Sequence, residues 1–401
     1  MGAALEQAKK ADAACTIQTY ARKPVMFVSG SGMTLVDDDG KTYLDFVSGI
    51  GAVNLGHAHP AVTAAIGEQA AKLVHVSNLY YVEHRAELAC ELAGLLGGGM
   101  KAFLCNSGAE ANEGAFKLAR RWAAENKPGA YKVVSAIGSF HGRTLATLAA
   151  TGQPAKNAAF APLPQGFEHV AFNDVDALEG ALDETVAALM LEVVQGEGGV
   201  WPASAEYLEA AQRLCSERNV LLMFDEVQTG CFRTGPAFAH QAFGLEPDVV
   251  TVAKSVANGL PVGAVLAKDA VAAAFKVGDH GSTFAGGPVV CAAGLATLKA
   301  LQTLDLGANA VEVGGYLVES LSALKDSGAA IVDVRGAGLI VGATLAAPVA
   351  AEVVAELLGK GFVVNNIGTD ILRFLPPLIC SKSDVDAVVS ALGEVLEGVV
   401  A

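Results

Sequence analysis

Two short apolar runs, each ending in a charged residue, set the tightest limit on the fold. Leu221-Leu222-Met223-Phe224 runs into Asp225-Glu226-Val227-Gln228, and Val249-Val250-Thr251-Val252-Ala253 runs into Lys254. Such runs are too short for solitary helices and fit strands buried on both faces of a parallel sheet. In open α/β sheets the working groups gather outside the carboxyl ends of the strands, so Asp225 and Lys254 are expected on one rim.

The rest of the chain alternates in the same way. Helical periodicity at 61–74 and 86–96 precedes a strand at 101–105, a helix at 109–124 and a strand at 132–136. Further strands are expected at 187–191, 221–224, 249–252 and 263–267, with helical stretches such as 204–218 between them. The pattern predicts an α/β fold with a large domain built on a mainly parallel central sheet, covered on both faces. Residues 25–47 read as a small antiparallel unit turned at Asp37-Asp38-Asp39-Gly40. After Pro288 come long helices at 289–304 and 307–327. A smaller α+β arrangement follows, with strands at 329–334, 339–345, 362–365 and 371–374 and helices at 348–360 and 384–399. The expected division is residues 1–60 contributing to the small domain, 61–290 forming the large domain, and 291–401 supplying a linking helix and the rest of the small domain.

Charge and cysteine usage narrow the partners. A net charge of −15 argues against nucleic acid or an anionic membrane as the main partner. Hydrophobic residues make up 52%, yet no apolar stretch approaches the ~18 residues of a membrane span. Seven scattered cysteines without a C-x-x-C pair read as reduced thiols, and the charged start Met1-Gly2-Ala3-Ala4-Leu5-Glu6 lacks a secretory signal, so the cytoplasm is expected. His57-Ala58-His59 has no further ligands to complete a metal site, and no metal is expected. There is no G-x-x-x-x-G-K-[ST], no G-x-G-x-x-G opening a first βα unit and no G-x-S-x-G elbow.

Several loop motifs carry chemistry. Asn106-Ser107-Gly108-Ala109-Glu110-Ala111-Asn112 leaves a strand and opens a helix, where small residues let backbone N–H groups approach a phosphate; a tight turn needing glycine explains it at least as well. Ser139-Phe140-His141-Gly142-Arg143-Thr144 offers a flat ring, an imidazole and a carboxylate-binding guanidinium, and fits an ordinary surface loop about equally. Glu192 and Glu197 sit among glycines at a strand end. Ser282-Thr283 precedes the long helix, and Arg373 lies alone in an apolar strand, where a buried cation needs an acid, either a substrate or an internal one. A lysine and an aspartate delivered to one rim suit pyridoxal 5′-phosphate (PLP): the lysine forms a Schiff base and the aspartate keeps the pyridine nitrogen protonated.

Taken in order, residues 106–112, 139–144, 195–199, 225–230, Lys254 and 282–284 closely resemble the class III, PLP-dependent aminotransferases. The branch acting on N-acetylornithine is most similar, through Thr19-Tyr20-Ala21-Arg22, residues 76–81 and 372–377, and the resemblance runs from about 18 to 385. It implies a fold type I homodimer with active sites between subunits, transferring an amino group from N-acetylornithine to 2-oxoglutarate to give glutamate. Lys254 would hold the cofactor and move the proton, Asp225 would pair with the pyridinium nitrogen, and Gln228 with the phenolic oxygen. Phe140 and Val227 would pack on the two ring faces, and Glu226 belongs to the same cofactor-binding run. Ser107, Gly108 and Ala109 would hold the phosphate, joined by Thr283 of the neighbouring subunit. Arg143, with Ser282 nearby, would bind a substrate carboxylate; Arg373 would grip the dicarboxylate, with Glu197 neutralising it in the other half-reaction. Where such proteins commonly have Glu-Pro, this chain has Glu192-Val193, and the usual Gly-Gly-Asn-Pro reads Ala285-Gly286-Gly287-Pro288. Other ω-amino donors, a glutamate-1-semialdehyde aminomutase and a non-catalytic PLP-binding protein are the alternatives.

Overall fold

The computed structural model describes residues 2–399; Met1, and Val400 and Ala401 at the end of the expected 291–401 division, lie outside them. Its central sheet has the strand order Met100–Cys105, Gly263–Lys268, Val249–Val252, Leu221–Asp225, Val186–Leu191, Lys132–Ala136, Phe167–Val170. The strands are parallel except Gly263–Lys268, which runs antiparallel to both neighbours. The connection from Val252 to Gly263 falls short of the roughly dozen residues that a parallel crossover needs, so that strand folds straight back.

Every residue of Val186–Leu191, Leu221–Asp225 and Val249–Val252 is buried, which is why their sequences show no polar alternation. Successive side chains still part to opposite faces. Leu221 and Met223 pack with Ala115, Phe116 and Ala119 of the helix Gly108–Asn126. Leu222 and Phe224 pack on the other side with Leu208 and Leu214 of the helix Ala205–Glu217. The next residue, Asp225, therefore emerges on the Met223 side, beneath the start of the helix Gly108–Asn126.

Two smaller sheets flank this one. Ile331–Ala337, Ile340–Leu345, Ile371–Phe374 and Asn365–Ile367 form an antiparallel sheet in which Arg373 lies opposite Gly342 and Asn365. Phe27–Ser31, Thr34–Asp37 and Thr42–Asp45 form the expected antiparallel unit. The single strand expected at 362–365 is two strands. Phe362–Val363 pairs in parallel with Thr42–Asp45, whereas Asn365–Ile367 pairs with Ile371–Phe374, and Val364 is buried at the crossing. The helix Ala3–Cys15 and the edge strand Phe167–Val170 were not expected, because both are largely exposed and carry little apolar periodicity. No single helix among the described residues is long and apolar enough to cross a membrane; Pro288–Thr303 and Leu306–Asp326 pass by length and composition only as a pair bent by 64°.

Arg233 ties the small sheets to the large one. It is fully buried and donates to the carbonyls of Leu339 (2.9 Å) and Pro376 (2.5 Å) and to Asn54 Oδ1 (2.5 Å), with no acid paired to it among the described residues. Three chain segments thus share one donor fork, and removing it strands their acceptors away from water. Arg233→Met is expected to cost about 3 kcal/mol of stability, read as a lower denaturant midpoint; an unchanged midpoint would show that this fork does not hold the sheets together.

Candidate active site

The carboxyl ends of the central strands open into a cavity of about 410 Å³. Ser107, Gly108, Ala109, Phe140, Arg143, Glu197, Asp225, Val227, Gln228 and Lys254 line it, together with Asn112, His141 and Glu192. Most of the candidate residues therefore come together from five separate stretches of sequence.

Asp225 is fixed by three donors. Its Oδ2 accepts from Asn112 Nδ2 at 2.7 Å and from His141 Nδ1 at 2.8 Å, and its Oδ1 accepts from the Val227 N–H at 3.0 Å. The carboxylate can only accept, so the His141 proton on that side belongs to Nδ1. Burial pushes the His141 pKa down, but the hydrogen bond and charge of Asp225 outweigh it and the net shift is upward. Asn112 is held in turn, since the Thr251 hydroxyl donates to its Oδ1 at 2.7 Å. Asn112 and His141 stand within the motifs 106–112 and 139–144, but the sequence assigns no role to either. Asn112 lies four residues past Gly108, on the same helical face, which is the only signal it offers.

Lys254 stands just past Val249–Val252 with φ +45°, an unusual backbone for a residue with a side chain. Burial of its amine lowers the pKa; the negative charge of Glu197 opposes that and the Arg373 cation reinforces it. Opposite, Ser107 caps the helix Gly108–Asn126 by accepting from the Glu110 N–H at 3.1 Å. The Gly108 and Ala109 N–H groups at the start of that helix have no intrahelical partner, and both residues line the cavity, which suits an anion. Gly108 is required by a close approach: a Cβ there would lie 2.7 Å from Val227 Cγ1.

At the other end Arg373, 1% exposed, reaches Glu197 Oε1 at 2.5 Å and the Gly196 carbonyl at 3.2 Å. Gln228 Nε2 donates to the same Glu197 oxygen at 3.3 Å. Burial would raise Glu197, yet the Arg373 and Lys254 charges hold it at about 2. Glu192 behaves oppositely. It is buried, accepts the Phe140 N–H at 3.0 Å, and desolvation drives its pKa up despite His141.

Three candidates lie elsewhere. Glu226 does not reach the cavity: it follows the Phe224 side of the strand, where its carboxylate accepts from the Ala239 and His240 N–H groups and pairs with the His240 ring at 2.9 Å. Its assignment as a cofactor-binding side chain is corrected on that ground. Ser282 lines a neighbouring recess with Tyr80, Tyr81 and Arg85, and its Oγ accepts from Asn106 Nδ2 at 2.9 Å. Thr283 is exposed and lines neither space. His57, part of the His57-Ala58-His59 pair, is bonded to Asp45 Oδ2 at 2.8 Å, and among the described residues no three His, Cys, Asp or Glu side chains gather as a metal site would need.

Comparison with known proteins supplies the family. Residues 17–396 match the aminotransferase class-III family. The chain belongs to it. It is 46% identical over 381 residues to an acetylornithine aminotransferase of Methanocaldococcus jannaschii, covering 94% of this chain and 95% of that protein. It is likewise 46% identical over 387 residues to an acetylornithine aminotransferase of Mycobacterium tuberculosis, covering 96% and 94%. Among solved structures, ornithine aminotransferase from Toxoplasma gondii superposes with a TM-score of 0.94 at 32% identity, covering 98% and 95% of the two chains. Acetylornithine aminotransferase from Elizabethkingia anophelis gives 0.88 at 31% identity, covering 98% and 99%. The class-III aminotransferases use pyridoxal phosphate, and the donor set here fits it. A helix N-terminus suits the phosphate, a fixed carboxylate suits a protonated ring nitrogen, a desolvated amine suits the aldehyde, and Phe140 and Val227 give walls for a flat ring.

The low pKa of Glu197 has a measurable consequence. A carboxylate depressed on folding adds stability that is fully present above its unfolded pKa and is lost as pH falls from about 4.5 to about 2. The stability gap between the parent and Glu197→Gln is therefore expected to shrink by about 2 kcal/mol between pH 6 and pH 3. Denaturant titrations at the two pH values measure it, and a gap independent of pH would contradict the Glu197–Arg373 pairing.

Proposed function

We propose that this class-III aminotransferase moves the δ-amino group of N2-acetyl-L-ornithine to 2-oxoglutarate, giving N-acetyl-L-glutamate 5-semialdehyde and L-glutamate, a step of arginine biosynthesis. The Glu197–Arg373 pair at the cavity carries the proposal. An enzyme that alternates between a donor with one carboxylate and an acceptor with two needs a cation that can be masked. Glu197 masks Arg373 without leaving either charge bare, and releases it when a second carboxylate arrives. Relatives that are 44–46% identical over nearly the whole chain and are named acetylornithine aminotransferases support this donor.

Each side chain then has a task. Bound pyridoxal phosphate supplies an electron sink for the carbon that loses its proton. Lys254 holds the cofactor through its amine and afterwards takes and returns that proton, helped by the lowered pKa. Asp225, steadied by Asn112 and His141, keeps the ring nitrogen protonated, and Gln228 serves the phenolic oxygen. Phe140 and Val227 close on the ring, while Ser107, Gly108 and Ala109 receive the phosphate. Arg143 serves the donor's carboxylate, and Ser282, set in the neighbouring recess, would contribute there only across the subunit boundary of a homodimer. The exposed position of Thr283, next to exposed Phe284, Tyr80 and Tyr81, suits a homodimer in which Thr283 completes the partner's phosphate site. The parallel pairing of Thr42–Asp45 with Phe362–Val363 supports a small domain made from residues 1–60 and 291–401 around a large domain of 61–290. Seven free cysteines, five of them buried, suit a reducing cytoplasm.

The visible absorption of the holoenzyme tests the donor. Adding N-acetylornithine should shift the band and 2-oxoglutarate should restore it, faster than with ornithine, succinylornithine, N-succinyl-diaminopimelate or γ-aminobutyrate. A stronger response to another of these donors would replace N-acetylornithine. Lys254→Ala should abolish turnover, and near-normal rates would remove its role. Arg373→Met should raise KM for 2-oxoglutarate by about 10- to 100-fold, the worth of a buried charged hydrogen-bond pair, with a much smaller change for the amino donor. Equal losses for both substrates would contradict the masking scheme.

A further inference from the structure

Two cations flank the Phe140 ring. The Arg143 guanidinium carbon lies 5.5 Å from its centroid and Lys156 Nζ lies 5.1 Å from it. Neither is paired with an acid among the described residues. Lys156 is nonetheless held in place. The Gln153 side-chain amide donates to the carbonyls of Gly138 and Ser139, both at 3.1 Å, which turns its Oε1 toward the Lys156 ammonium. That bond occupies one of three ammonium donors and leaves the others for a ligand.

The surrounding charge is out of balance. Burial lowers the Lys156 pKa; Glu197 opposes this, and the nearby cations Arg143 and Arg373 add to it. Glu197 is committed to Arg373, and Glu192 accepts from the Phe140 N–H. Of the three cations gathered around this partly desolvated space, only Arg373 is paired with an acid among the described residues, an arrangement that an incoming carboxylate would relieve.

We propose that Lys156 is a further substrate-binding residue, whose ammonium joins the Arg143 guanidinium in holding the carboxylate remote from the reacting carbon, the α-carboxylate of the amino donor or the γ-carboxylate of 2-oxoglutarate. The proposal rests on the aminotransferase activity and assigns a contact within it. With Arg373 masked, Arg143 and Lys156 hold the donor; with Arg373 released, the same two hold one end of the dicarboxylate and Arg373 the other. A cation on a four-carbon stem also adapts to the two substrates' different lengths more readily than a planar fork.

The test compares parent, Lys156→Met and Lys156→Arg holoenzymes. Lys156→Met keeps the apolar stem over Phe140 and removes only the charge. It should raise KM for donor and acceptor about five- to tenfold, the worth of one half-buried charge contact, with a smaller change in kcat. Lys156→Arg should restore most of the loss. Calorimetric titration with glutarate, an unreactive dicarboxylate, should show the same weakening. A donor analogue with a carboxamide in place of the α-carboxylate should give equal KM values for parent and Lys156→Met. Unchanged KM and glutarate affinity in Lys156→Met would overturn the contact; an equal KM rise with the carboxamide would reduce Lys156 to a packing partner of Phe140. The glutarate arm involves no amino donor, so it still decides the role of Lys156 if N-acetylornithine proves to be the wrong one.

Discussion

The site is organised around a carboxylate that the fold buries at the end of its central strand without giving it a strong cation. Asp225 is 5% exposed, and its partners are an amide, an imidazole and a backbone N–H. Burying a negative charge is costly unless it is hydrogen-bonded and paired, and here the hydrogen bonds are complete while the pairing is only with His141. A cationic ring nitrogen in the cavity answers that deficit. The helix Gly108–Asn126 both covers one face of the sheet and supplies Asn112, so packing and electrostatics rest on the same element.

The opposite end of the cavity follows a different rule. There the fold brings in more positive than negative charge, and one acid, Glu197, is shared among cations. The first end is permanent and stays fixed through a catalytic cycle. The second must open and close as substrates of different charge alternate, and its charges sit on loops and on Ile371–Phe374, an inner strand of the small sheet that carries Arg373. Rigid strand ends and adjustable loop charges thus divide the work between chemistry and selection.

Asp225 and Lys254 were legible in the sequence because strands buried on both faces appear as uninterrupted apolar runs, and their ends mark the rim. The seven-stranded order and the fold-back of Gly263–Lys268 were less so, since pairing partners depend on tertiary contacts and loop length rather than on composition. The roles of Asn112 and His141 stayed hidden, though both stand within the loop motifs, because their value lies in meeting Asp225 across 113 and 84 residues of chain. Glu226 misled for the opposite reason: it neighbours Asp225 in sequence but lies on the other side of the strand, bound to His240. The run 362–365 read as one strand because nothing in its composition marks Val364 as the point where the chain changes sheets. Lys156 offered no pattern at all, as its position depends on Gln153 and the fold of the Phe140 loop.

The central claim is that the Lys254 amine is the group that binds the cofactor. Borohydride reduction of the loaded enzyme, followed by peptide mass spectrometry, tests it without relying on turnover. The account predicts a reduced phosphopyridoxyl group on the peptide containing Lys254 and on no other lysine. Label fixed on a different lysine, with the Lys254 peptide unmodified, would contradict it.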